Sequence, residues 1–118
     1  MKFDLDQDQR DFAASIDAAL GAADVPAAVR AWAGGDTGPG RRVWTRLAEL
    51  GVTALAVPEE HDGIGAHPVD LVLACERLGR WCVPGPVTES LAVAPVLLAQ
   101  RGERAAALAA GESIATVA

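Results

Sequence analysis

The densest run of reactive side chains is Glu59-Glu60-His61-Asp62, with a second imidazole at His67. Carboxylates and imidazoles serve as metal ligands and as general bases, but this spacing matches no common metal-binding motif. The segment reads as a solvated loop ahead of a helix, where acidic groups favour the helix start. Gly63-Ile64-Gly65 follows directly. Glycines of this kind can let a backbone approach phosphate, yet the strand–glycine–helix context of a nucleotide fingerprint is missing. Cys75 and Cys82 stand seven residues apart in a helical pattern, which separates them by roughly 10 Å along a helix axis. A disulfide needs Cα atoms within about 7 Å, so the pair is expected as reduced, half-buried thiols. Arg77 and Arg80 are the cations beside them in sequence. Trp32, Trp44 and Trp81 fall at helical positions and are expected to anchor a core or an interface. Hydroxyl residues are few, and neither His lies in a recognisable catalytic motif. No nucleophile–base constellation emerges, and the residues alone name no reaction.

The elements that must carry these groups are helical. Of the 118 residues, 51% are hydrophobic and 22% charged, a globular rather than disordered balance. One domain of this length buries roughly two-thirds of its unfolded surface. Ten Lys and Arg against 16 Asp and Glu leave a net charge of −6, which argues against a nucleic-acid partner. The longest apolar run, residues 91–99, contains Pro95 and is about half of a membrane span. The first ten residues are polar and acidic, without the apolar stretch of a secretory signal. A cytoplasmic protein with no membrane span is expected.

Apolar residues recur at spacings of three and four, which is helical. Asp6 with Gln9 offers a capping box for a first helix whose stripe is Phe12, Ile16, Ala19 and Leu20, stopped by Gly21. Pro26 opens a short second helix through Val29 and Trp32. Residues 34–40 are the clearest loop in the chain. A third helix spans 41–50 and stops at Gly51. Residues 52–57 form a short apolar piece closed by Pro58. Pro68 opens a fourth helix reaching about Trp81, with Leu71, Ala74, Cys75, Leu78 and Cys82 on one face. Val69, Val72 and Leu73 make its other faces apolar as well, so a central place in the bundle is expected. After the rigid turn Val83-Pro84-Gly85-Pro86, Thr88 caps a fifth helix over 89–100, which Pro95 kinks or tightens. A short helix covers 104–110. Residues 113–118 are apolar and β-branched, like the start of a strand that has no pairing partner in the chain. The fold class is all-α: an up-and-down bundle of five to six helices with a strand beginning at the C-terminus.

Taken in order, several segments resemble the acyl-CoA dehydrogenases. Asp6-Gln7-Asp8-Gln9-Arg10-Asp11-Phe12 is similar to that family's acidic opening, and Trp44-Thr45-Arg46-Leu47-Ala48-Glu49-Leu50-Gly51 to its W-x-x-L-A-E-L-G run. Leu55-Ala56-Val57-Pro58-Glu59-Glu60 and Asp62-Gly63-Ile64-Gly65 resemble its P-E-E and G-G-x-G segments. Glu76-Arg77-Leu78-Gly79-Arg80 resembles its E-E-L-G-R. Ala109-Ala110-Gly111-Glu112-Ser113-Ile114-Ala115 resembles the run that precedes its β domain. Asp62 replaces one of the usual paired glycines, and Arg77 replaces the second acid.

The resemblance implies an N-terminal helical domain over residues 1–111, with 112–118 opening a middle β domain. It implies FAD in the parent protein, bound mainly by later domains, and a C-terminal Glu that removes the α-proton of an acyl-CoA thioester. The β-hydrogen then leaves as hydride to the flavin, giving a trans-2-enoyl-CoA. Electron-transfer flavoprotein is the implied electron acceptor, and a homo- or hetero-oligomer the implied assembly. By matching position, the turn from Trp81 to Ser90 and the start of the fifth helix would line the distal end of the acyl-tail pocket, with Val87, Glu89, Ser90, Leu91 and Ala94 as the tail-facing group. The catalytic base and flavin contacts are expected outside these residues, so the chain alone is expected to be inactive, free of FAD and prone to self-association. Related readings are a flavin monooxygenase or an acyl-carrier-protein dehydrogenase of the same fold, and a non-catalytic helical partner subunit.

Overall fold

The computed structural model describes residues 3–118. Among them are six α-helices: α1 (Gln7–Ala22), α2 (Val25–Ala33), α3 (Gly38–Glu49), α4 (Pro68–Arg80), α5 (Ala94–Leu97) and α6 (Gly102–Ala109). The expected all-α architecture is present. α2 packs against α3, and α1 against both α4 and α3.

Local chemistry explains most helix starts. The Asp6 carboxylate accepts from the Gln9 backbone N–H at 2.8 Å, and the Gln9 side chain accepts the Asp6 N–H at 3.0 Å, so the capping box forms. Pro26, Pro39 and Pro68 each lie in the first turn of a helix, where the missing N–H costs nothing. α3 begins three residues earlier than expected, which leaves a loop of only 34–37. Asp36 explains the shift, because its Oδ1 accepts the Gly38 N–H at 3.0 Å. α1 runs through Gly21 to Ala22 because Gly21 keeps ordinary helical geometry. The Trp81 ring lies 3.5 Å from where a Gly21 Cβ would stand.

Two hydrophobic clusters form the interior. The larger joins Ile16, Leu20, Val43, Trp44, Leu47, Leu78 and Leu91. The smaller joins Ala54, Val57, Ala94, Ala105 and Leu108 beneath α6. Between them, Thr53 is buried and donates its hydroxyl to Ala109 O at 2.8 Å.

Three expectations need correction. α4 is not central: Val72 is 66% exposed and Val69 half exposed, so one face of the helix has no neighbour among the described residues. The fifth helix is not regular over 89–100. Residues Glu89–Val93 form a π-helical turn that leads into α5, with the Ala94 N–H donating to Glu89 O. Pro95 cannot donate to Leu91, and its ring crowds that carbonyl, so the chain widens there. Thr88 makes no capping hydrogen bond. Residues 113–118 belong to no strand, and, as expected, no pairing strand lies alongside among the described residues.

Candidate functional site

The turn after α4 encloses a cleft of about 300 Å3, at the lower end for small-ligand sites. Its floor is Cys75, Leu78 and Gly79 on α4, and its wall runs over Val83 and the residues from Gly85 to Glu89. The turn is held by packing from behind. Gly85, with φ +106°, lies under the Trp32 ring, which also covers Gly40 so closely that a Cβ there would stand 2.4 Å from it. Gly79 is different: a Cβ at that position would meet nothing within 4 Å. The absent side chain is therefore part of the cleft's depth.

The five residues expected to line a pocket divide into two groups. Val87 and Glu89 border the cleft. Ser90, Leu91 and Ala94 are buried, Leu91 in the larger cluster and Ala94 in the smaller. Ser90 Oγ donates to Ala115 O at 2.6 Å and accepts the Ala115 N–H at 2.9 Å. Glu89 Oε2 accepts the Thr116 hydroxyl and, at 2.6 Å, the Val117 N–H. The Thr116 hydroxyl, and then the Val117 N–H, hold the Glu89 carboxyl below its ordinary range. Burial pushes the Cys75 thiol up, so at neutral pH it is a protonated, weakly nucleophilic group. A committed carboxylate and a protonated thiol suit binding rather than bond-making.

The Glu59–Asp62 cluster lies elsewhere and has a structural role. Glu59–His61 is a 3-10 turn, and His61 Nε2 lies 3.1 Å from Ala99 O and 3.9 Å from Glu60 Oε1. The glycines after it are explained by a close backbone approach. A Cβ at Gly63 would stand 1.9 Å from Val57 O. The N–H groups of Gly63, Ile64 and Gly65 donate to Pro58, Ala54 and Val57 carbonyls at 2.9–3.1 Å. Asp62 adopts φ +65°, a region that glycine enters freely and Asp tolerates better than most residues. These amides are engaged internally, so they offer no nest for a pyrophosphate. This loop therefore does not fit the pyrophosphate of FAD.

Cys82 corrects another expectation. It lies past the end of α4, exposed, with φ +55°, and so does not share a face with the half-buried Cys75. Trp44 is 4% exposed, and its Nε1 is buried without a hydrogen-bond partner among the described residues. Trp81 Nε1 donates to Asp17 Oδ1 at 2.9 Å, and Arg77 pairs with the other Asp17 oxygen at 3.2 Å. That contact accounts for a cation at position 77. A larger recess of about 440 Å3 lies among α1, α2 and α3 and holds none of the expected residues. Sequence reasoning placed the turn but missed its floor on α4, Cys75, Leu78 and Gly79, as cleft residues. The glycine inside a helical pattern at position 79 was the available signal.

A family model described as acyl-CoA dehydrogenase, N-terminal domain, matches residues 6–107. The chain belongs to the acyl-CoA dehydrogenase family. Among curated relatives, acyl-CoA dehydrogenase IpdE2 of Mycobacterium tuberculosis is 38% identical over 84 residues, covering 70% of this chain and 26% of the relative. IpdE2 of Mycolicibacterium smegmatis is 37% identical over 94 residues, covering 78% and 30%. Acyl-CoA dehydrogenase FadE34 of Mycobacterium tuberculosis is 41% identical over 78 residues, covering 66% and 11%. The chain thus spans under a third of the length of the curated relatives it matches. No solved structure matches it significantly. Within this acyl-CoA dehydrogenase domain, the matched segment contains the α4 floor and the whole cleft wall.

Proposed function

We propose that the chain is the N-terminal helical domain of a flavin-dependent acyl-CoA dehydrogenase, contributing the wall of the acyl-tail pocket and inactive alone. The observation that carries this reading is the ordered family match over residues 6–107, with a cleft at the position where the family implies the tail's end. The whole protein would remove hydrogen from the α and β carbons of an acyl-CoA thioester to give a trans-2-enoyl-CoA. Its electrons would pass to electron-transfer flavoprotein. In this reading residues 1–111 form the helical domain and 112–118 lead toward the middle β domain. The protein works in the cytoplasm as a homo- or hetero-oligomer, and the flavin and catalytic base are supplied from outside the described residues.

Val87 and Glu89 face the tail, while Ser90, Leu91 and Ala94 form the layer behind it. Because Glu89 is engaged by Thr116 and Val117, its carboxylate is turned to hydrogen bonds outside the cleft. Leu78, Val83, Pro86 and Val87 then present apolar surface to an apolar chain.

The test begins with the native polypeptide, sized in its source cells with an antibody raised to this chain and isolated on the same antibody. Acyl-CoA-dependent reduction of an acceptor dye by a flavin-containing protein is expected. A native protein without flavin and without acyl-CoA-dependent reduction would overturn the reading in favour of a non-catalytic helical subunit. Stoichiometric FAD on the isolated 118-residue chain would overturn its inactivity alone.

A further inference from the structure

Residues 115–117 have no strand beside them among the described residues, yet side chains meet their polar groups. Ser90, only 2% exposed, serves both the N–H and the carbonyl of Ala115, as a neighbouring strand would. The next residue toward the N-terminus, Glu89, serves the Thr116 hydroxyl and the Val117 N–H. Both belong to the π-helical turn, and the residues just before them form the cleft wall. Around this contact, Ile114 packs on the larger cluster and Ala115 on the smaller.

We propose that Glu89 and Ser90 are positioning residues that lock residues 115–117 against the cleft wall, so that release of this segment loosens the wall and opens the cleft. The reason lies in how the turn is supported. Without Ala115, the Ser90 hydroxyl is a buried group with no partner shown, and such a group must rehydrate or find another. The π turn resists this weakly, since Pro95 cannot donate back into it and its bonds span five residues. Movement of residues 89 and 90 carries Val87 and Thr88 with them through the continuous backbone. The inference goes beyond the acyl-tail reading and does not depend on it.

Cys75 in the cleft floor reports on the wall. In a Cys82→Ser background, the rate of Cys75 labelling by an aromatic disulfide is measured alongside amide exchange at Ala115 and Val117. Loss of one such bond is expected to reduce local protection about tenfold in Glu89→Ala and Thr116→Val. Cys75 labelling should rise several-fold in the same variants. Glu89→Gln keeps an acceptor for Val117 and should stay near the unsubstituted rate. Thr116→Val lies on the exposed side, so it carries the test if Ser90→Ala fails to fold. Lost amide protection with unchanged Cys75 labelling would overturn the coupling. Unprotected Ala115 and Val117 amides in the unsubstituted chain would overturn the lock itself.

Discussion

At the scale of single residues, the close approach at Gly63 makes the firmest prediction. A methyl group there meets the Val57 carbonyl at 1.9 Å, and two backbone segments must part to admit it. Gly63→Ala is expected to cost about 2–3 kcal/mol, measurable as a lowered urea midpoint with unchanged slope. Glu89 gives a pH prediction. Its carboxyl is lowered below the ordinary value of 4.5 by the Thr116 hydroxyl and then the Val117 N–H. A carboxyl lowered in the folded state adds stability that is present above the unfolded value and lost as pH falls through the folded one. The protonated carboxyl keeps a carbonyl acceptor for the Val117 N–H, as Glu89→Gln does, so protection of that amide should be full from neutral pH into the ordinary carboxylate range and weaken, without vanishing, below it. Loss of protection above that range would contradict the assignment.

At the scale of elements, α1 and α4 are joined by one acceptor serving two donors. Asp17 takes the Trp81 indole N–H and the Arg77 guanidinium, while the Trp81 ring covers Gly21. Trp81→Phe removes the indole donor together with the Cη2 and Cζ2 atoms that reach Gly21, and should cost at least roughly 1 kcal/mol in thermal or urea unfolding. Gly79 predicts the opposite sign. It lies in the last turn of α4 with open space above it. Gly79→Ala should stabilise the chain by roughly 0.5–1 kcal/mol. Gly79→Leu should fill the cleft, and in the whole enzyme it should shift preference toward shorter acyl chains without lowering the melting temperature. Unchanged chain-length preference would separate Gly79 from the tail site.

At the scale of the whole molecule, two apolar faces lack neighbours among the described residues. Val69 and Val72 stand out on α4, while Val96, 73% exposed, and Leu97, 63% exposed, stand out on α5. Exposed apolar residues of this kind promote association where they are contiguous. The isolated chain should sediment with concentration-dependent mass, and a Val72→Ser, Leu97→Ser pair should move it toward monomer. A monomer at all concentrations would mean that these faces are too small or too separate to pair.

Helical content, the Asp6 capping box, the proline starts of α2 and α4 and the stop at Gly51 were legible because each depends on neighbours within a few residues. The family motifs were legible for the same reason, being local strings in a preserved order. The π turn, the role of Gly63 and the division of the five pocket residues were not legible. They depend on groups distant in sequence: Val57 against Gly63, Trp32 over Gly40 and Gly85, and Ala115 against Ser90. Residues 113–118 show the boundary most clearly. Their β-branched, apolar composition pointed to a strand, whereas the presence of a hydrogen-bonding partner is a tertiary fact. Here side chains of Glu89 and Ser90 meet the polar groups of residues 115–117, so the segment is held without being a strand.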